Sequence, residues 1–235
     1  MSGLYFFDCR SKNATDRLAY VFEQTLRFDF EHFGFALLDL GPDSDSYALR
    51  RNMVELKRGL SELLIAKTRK HLHYLSMGRF DQQVTTKFHL DGAPNESVLM
   101  LGYEPSRVQS RLFMADYTRC AHERGITPRQ YLDQFNPMFS AGAALLTPYT
   151  TELTEFNPAN FQILLINNSA LPFSEERNTL LGVMHKAEIV NPTKDESRVV
   201  NSTMLGAVPD GAIEKFSIAD QETFINTDSI SKANY

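Results

Sequence analysis

Hydrophobic residues recur at helical spacing in the first third of the chain. Over residues 13–31 apolar side chains return every three or four positions, which predicts an amphipathic helix. A short apolar run over 34–40 predicts a strand, because Gly-Pro follows it directly. A second helix is predicted from about 44 to about 72, since its leucines fall on one face. The chain is therefore expected to begin with helices, over about 13–72.

The pattern then changes to a period of two. Over residues 83–91, QVTTKFHLD, the odd positions are polar and the even positions mostly apolar, which predicts a strand with one polar face. A further strand is predicted over 97–105. Residues 108–135 are predicted to be helical, with a restart where Thr127 caps a helix that has Pro128 at its first position.

The final third is predicted to be rich in strands. Apolar segments indicate strands over 161–168, 182–190 and 198–205, and a helix is expected after Ser217, a good capping residue. Helices early, strands late and a helical stretch between strands predict an α+β fold around a mainly antiparallel sheet, in a sandwich or barrel.

The domain organisation follows from these elements. One domain over 1–235 is predicted, with its β core at about 80–105 and 160–205 and a helical insertion at about 108–155. No repeat or low-complexity linker divides the chain.

Composition and charge narrow the class of protein. The net charge is −5 and no basic stripe is present, which disfavours a nucleic-acid partner. We expect no signal peptide and no membrane span, because no apolar run is long enough for either. Two cysteines without a paired motif favour a reducing, cytoplasmic location. The oligomeric state has no sequence signal.

The segment KFHLDG carries the first candidate chemistry. His89 and Asp91 are two positions apart, so on a strand both side chains project to the same side. Two histidines and one carboxylate on one face of an octahedron leave three positions open, an arrangement that suits Fe(II) with a cosubstrate and oxygen. The missing ligand is expected to be a second histidine on another strand.

His185 is the best candidate for that ligand. Its strand face consists of Val183, His185, Ala187 and Ile189, so the histidine is expected to point inward among apolar residues. Arg198 follows across a turn, where a guanidinium can hold a carboxylate through two charge-assisted hydrogen bonds.

These residues together resemble the motif of the iron(II)- and 2-oxoglutarate-dependent oxygenases: H-x-D, a distant histidine, and an arginine soon after it. HLDGAPNESVLMLGYEP also looks like that family's metal-ligand strand, turn and following strand. The resemblance implies Fe(II) bound by His89, Asp91 and His185, with 2-oxoglutarate as cosubstrate and Arg198 on its far carboxylate. It also implies a double-stranded β-helix (jelly roll) and O₂ as a reactant. The acidic composition and single-domain size favour a small-molecule substrate over nucleic acid, and a protein or peptide substrate stays open.

The chain departs from the family pattern after the arginine. The early helix leading into HFGFALLDLG resembles the N-terminal entry of the branch that includes the plant-hormone and antibiotic-ring-forming enzymes. Members of that branch often have Arg-x-Ser, whereas Val200 stands two positions after Arg198. Ser202, one step further along the same strand face, is the candidate replacement as a cosubstrate contact.

Simpler interpretations of the same residues stay open. His89 and Asp91 could be solvent-facing residues of an edge strand, and Arg198 could form a surface ion pair in the turn. His122 is a rival distal ligand, but it lies in a segment predicted to be helical. His71 and His73 are expected at the solvated end of a helix. A cupin-like metalloenzyme without 2-oxoglutarate, or a jelly-roll binding protein without a metal, are the alternative functions.

Overall fold

The computed structural model describes residues 5–10, 14–137, 139–170 and 179–232. Helix makes up about 31% of the chain and strand about 30%, so the predicted α+β class is confirmed. The helices are α1 (Ala14–Thr25), α2 (Ser46–Thr68), α3 (Tyr117–Glu123), α4 (Pro128–Gln134), α5 (Ser140–Leu146) and α6 (Ile218–Asn226). The strands are β1 (Phe6–Asp8), β2 (Phe35–Gly41), β3 (Lys70–Asp81), β4 (Ser97–Tyr103), β5 (Ser110–Ala115), β6 (Thr150–Glu152), β7 (Phe161–Asn167), β8 (Met184–Ile189), β9 (Val199–Pro209) and β10 (Ser231–Lys232).

The strands form two sheets. The large sheet has the order β1-β2-β7-β4-β9-β3-β10, and the small sheet has the order β6-β5-β8. The pairs are antiparallel except for the edge strands β1 and β10, which run parallel to their neighbours. Buried residues from both sheets pack into one cluster, which includes Leu99, Leu164 and Val200 from the large sheet and Leu112 and Met114 from the small one. The two sheets therefore form a sandwich with a shared apolar layer.

Helix α2 covers the outer face of the large sheet. It begins at the N-cap Asp45, whose side chain accepts a hydrogen bond from the Ala48 amide, and it ends at Arg69 in the left-handed region. Close packing against β4 is possible because Gly102 has no side chain: a Cβ there would lie 2.7 Å from the sulfur of Met53. None of the described helices combines the length and hydrophobicity that a membrane span requires.

The prediction of one helix from about 44 to 72 is wrong at its end. The helix stops at Thr68, and β3 begins at Lys70 and pairs with β9 over its whole length. His71 and His73 are therefore on a strand and not at a helix end. The cause is the left-handed Arg69, where the chain reverses with no glycine or proline to indicate a break.

The prediction of a regular strand over 83–91 is also wrong. Within this segment only His89 forms a bridge, with His185, and the remainder has no regular secondary structure. The segment still follows β8, because the Thr86 amide donates to the Ala187 carbonyl at 2.9 Å. Side-chain hydroxyls of Thr85 and Thr86 accept from β8 amides in place of a regular ladder.

The helical prediction for 108–135 is wrong at its start. Residues Ser110–Ala115 form β5, the central strand of the small sheet, and the helical part of this region begins at α3. The short strand β6 likewise lies inside the insertion predicted at about 108–155. The restart is confirmed, since Thr127 and Gln130 form a capping box with Pro128 in the first turn. The helix predicted after Ser217 is also confirmed as α6.

Candidate metal centre

Three residues from two distant parts of the chain meet between the sheets. His89 and Asp91 lie in the segment before β4, and His185 lies on β8. The His89 amide donates to the His185 carbonyl at 3.2 Å, and the His185 amide donates back at 3.1 Å. This bridge places the two rings 4.2 Å apart, and the ligand-type atoms of the three residues lie within 4.8 Å of one another. The predicted trio is therefore in one place.

The pair of His89 and Asp91 is arranged to hold a cation. The Lys87 carbonyl lies 2.7 Å from Nδ1 of His89, which favours a proton on that nitrogen and a lone pair on Nε2. Nε2 in turn lies 3.4 Å from Oδ1 of Asp91. A lone pair on Nε2 and a carboxylate oxygen repel one another at this distance unless a proton or a metal ion lies between them.

The pKa values of this pair agree with that interpretation. Burial by itself lowers the pKa of His89, but the contacts to Asp91 and the Lys87 carbonyl outweigh it, so the pKa is raised. Burial would raise the pKa of Asp91, but the hydrogen bond from His89 and the nearby His185 lower it. The carboxylate is thus ionised at neutral pH, the form that binds a metal.

His185 is the histidine of the trio whose pKa is lowered. Burial and the neighbouring His89 lower its pKa to about 4, so the imidazole is neutral at pH 7. Its Nδ1 is buried and has no hydrogen-bond partner among the described residues. An unsatisfied buried polar atom costs about 1–3 kcal/mol, a cost that a bound ligand removes. Two imidazoles, one of which carries this unpartnered nitrogen, and one carboxylate fit a divalent transition metal.

Asn168 holds Asp91 in place, and sequence reasoning missed it. Its Oδ1 accepts from the Asp91 amide at 2.9 Å, and its Nδ2 donates to the Asp91 carbonyl at 3.0 Å. The same Nδ2 donates to Oγ of Ser97 at 3.1 Å, and the side chain is only 2% exposed. The available signal was the polar run Asn-Asn-Ser at the end of the buried strand β7, which we interpreted only as part of the strand.

The trio opens into a cavity of about 430 Å³ between the two sheets. Strands β3, β4 and β9 supply one wall, while β8 and the segment 82–92 supply the other. Its volume falls within the range of roughly 300–1,000 Å³ that small-molecule sites occupy. Arg198 and Ser202 both line this cavity, together with the three candidate ligands.

Arg198 lies in the cavity wall and is only 4% exposed, so the surface ion pair considered as an alternative is wrong. Its Nε donates to Oγ of Ser110 at 3.1 Å, and one terminal nitrogen donates to the Gln82 carbonyl at 3.0 Å. The guanidinium also lies 5.1 Å from the centre of the Tyr103 ring. These contacts fix a permanent positive charge at a position that the cavity reaches.

The remaining histidines lie elsewhere. His122 is on α3 with its ring against Phe30, and His71 pairs with Asp210 at 3.0 Å. Within the described ranges, His89, Asp91 and His185 are the one group of three His, Cys, Asp or Glu side chains close enough to share a metal ion. In comparisons with known proteins, the chain matches no family model and no curated protein.

Proposed function

We propose that this chain is an iron(II)- and 2-oxoglutarate-dependent oxygenase that oxidises an unactivated C–H bond of a small molecule and releases succinate and carbon dioxide. The observation that carries the proposal is a group of two histidines and one aspartate in the same cavity as a buried arginine. In this proposal the two sheets are those of a double-stranded β-helix of jelly-roll type, and the protein works in the cytoplasm.

His89, Asp91 and His185 would hold the iron. When bound, Fe(II) supplies the redox and Lewis-acid chemistry that couples oxidation of a C–H bond by O₂ to oxidative decarboxylation of the keto acid. One carboxylate offsets only one of the two positive charges of Fe(II), and the two imidazoles are neutral. The loaded site therefore carries a net positive charge, which favours a dianionic cosubstrate.

Arg198 would bind the far carboxylate of 2-oxoglutarate. A planar guanidinium can form two parallel hydrogen bonds to a carboxylate, and the buried position strengthens them by excluding water. Ser202 projects from β9 into the same cavity and can donate a further hydrogen bond through its hydroxyl. These residues would orient the cosubstrate between the arginine and the metal ligands.

The alternative of a cupin-like metalloenzyme uses the same three ligands without 2-oxoglutarate. The buried arginine favours the oxygenase, because a guanidinium in the cavity wall suits the far carboxylate of 2-oxoglutarate, which the metal-only reaction does not require. A binding protein without a metal predicts that His89→Ala and His185→Ala retain full function.

An anaerobic absorption titration tests the proposal. Metal-stripped protein receives Fe(II) and then 2-oxoglutarate, and we expect a visible charge-transfer band only when both are present. His185→Ala should lose the band, whereas His122→Ala, a matched histidine outside the cavity, should keep it. Iron binding without the band would overturn the role of 2-oxoglutarate and favour the cupin-like enzyme. Absence of iron binding would overturn the metal site.

A further inference from the structure

The metal ligands and the cosubstrate arginine account for the ionic groups of the cavity. Among the described residues that line it, the acidic, basic and imidazole side chains are His89, Asp91, His185 and Arg198. The other lining residues are neutral, and most of them have hydrocarbon or thioether side chains: Leu75, Phe80, Leu99, Leu101, Ala187, Val200 and Met204. A charged substrate group in this space would lose its hydration without gaining an opposite charge, while each buried methylene gains free energy.

A β-bulge brings one of these residues to the cavity. Tyr74 pairs with Leu205 and Ser76 pairs with Met204, so Leu75 is an extra residue between two consecutive pairs. Leu75 and Ser76 both line the cavity as a result. Bulges are common beside active sites, where they redirect a side chain.

The neighbouring strand β9 leaves room for the side chain of Leu75, because it has a glycine at position 206. A Cβ at Gly206 on β9 would lie 3.2 Å from a terminal carbon of Leu75, which is tighter than an ordinary contact. Leu75 remains 38% exposed, so it lies at the mouth of the cavity and not in its interior.

The bulge is at the metal end of the cavity. Met204, the partner of Ser76, has its sulfur 4.0 Å from Nδ2 of Asn168, the residue that holds Asp91. Arg198 immediately precedes the first residue of β9 and lies before Met204 along the strand. A molecule that enters past Leu75 therefore meets the metal ligands, while the arginine end is left for the cosubstrate.

From this geometry, and on the basis of the proposed function, we infer that the substrate presents an uncharged, mainly hydrocarbon portion to the metal, and that Leu75 is a residue that selects it. The neutral hydroxyls of Ser76 and Thr86 allow a hydroxyl or carbonyl group on this portion. Carboxylates and ammonium groups are excluded from it.

Binding of matched probes tests this inference. The full chain, with 2-oxoglutarate and a redox-inactive divalent metal present, is titrated by ligand-observed NMR with 1-hexanol, hexanoate and hexylammonium. We expect hexanol to bind at least tenfold more tightly than either charged probe. Equal or tighter binding of a charged probe would overturn the inference.

Substitutions at the bulge test the role of Leu75. Leu75→Glu should weaken hexanol binding at least tenfold and reverse the preference towards hexylammonium, and Leu75→Gln should weaken hexanol binding without that reversal. Val190→Glu is the control, because Val190 is 63% exposed and outside the cavity. If Leu75→Gln, the milder change, retains wild-type preference and affinity, Leu75 is not a selecting residue.

The two proposals can fail separately. A preference for hexanol without the charge-transfer band would overturn the oxygenase proposal and leave an apolar binding cavity. The band without a preference for hexanol would leave the oxygenase and overturn this inference.

Discussion

Asn168→Ala should weaken metal binding without changing any metal ligand. The side chain makes two partly buried hydrogen bonds to the main chain of Asp91 and one buried hydrogen bond to Ser97. Loss of such an outer partner typically lowers metal affinity about 10- to 100-fold, or about 1.4–2.8 kcal/mol. The metal-free protein should also lose about 3 kcal/mol of stability, at about 1 kcal/mol for each hydrogen bond.

Two measurements separate these effects. Competition with a chromogenic chelator gives the affinity for Zn(II), and urea unfolding of the metal-free protein gives the stability. Asn201→Ala is the matched control, because this buried asparagine donates to the Gly102 carbonyl and to Glu104 on the helix side of the sheet. It should lose stability and keep wild-type affinity. Equal affinity losses in the two variants would refute a specific role for Asn168.

Three further outcomes are expected. Arg198→Ala should retain Fe(II) affinity but raise the half-saturating 2-oxoglutarate concentration about 10- to 100-fold in a succinate-release assay. The reason is that hydrogen bonds to charged groups contribute about 1.5–3 kcal/mol. An unchanged half-saturating concentration would show that Arg198 does not bind the cosubstrate. Gly182→Ala should destabilise the protein by about 1–3 kcal/mol or more in urea, because a Cβ there would lie 2.1 Å from the Ser169 carbonyl oxygen. Burial alone would raise the pKa of Glu104, but hydrogen bonds, first from Arg79, lower it. The contribution of the ionised Glu104 to folding stability is therefore complete above about pH 4.5 and is lost as the pH falls through the lowered pKa. Glu104→Gln should accordingly show a weaker loss of stability below pH 4.5 in urea unfolding.

Strand β3 could not be predicted from the sequence because its periodicity changes phase. Before the bulge, Leu72 and Tyr74 face the helices, and after it Met77 packs on that same side. The even positions thus face the helices first and the cavity later, so the strand shows no continuous alternation. A register shift of this kind depends on the partner strand, which a local pattern does not contain.

Strand β5 was missed for a different reason. Its four final residues, LFMA, are all apolar and fit a buried strand or a helix equally well. The helical segments that follow favoured the wrong choice. In the structure Leu112 and Met114 point to the core, while Phe113 packs outside under Arg111 and Lys186.

The candidate site was more predictable than the fold around it. Ligand spacing survives local irregularity: His89 and Asp91 line the same cavity although their segment is not the regular strand that was predicted. The inward position of His185 followed from alternation on a short regular strand. Asn168 was not predictable, because its contacts with Asp91 come from tertiary packing across 77 residues of chain.

The side chains of β9 alternate between the cavity and the helix-covered face of the large sheet. Val200, Ser202 and Met204 line the cavity. Asn201, between Val200 and Ser202, projects to the opposite face and donates to the partly buried Glu104 beneath the helices. Because successive side chains of a strand point to opposite sides, substitutions at even positions should change ligand binding, and substitutions at odd positions should change stability while leaving the cavity lining as it is. The cavity can therefore change its ligand without disturbing the charged network that fixes the helices to the sheet.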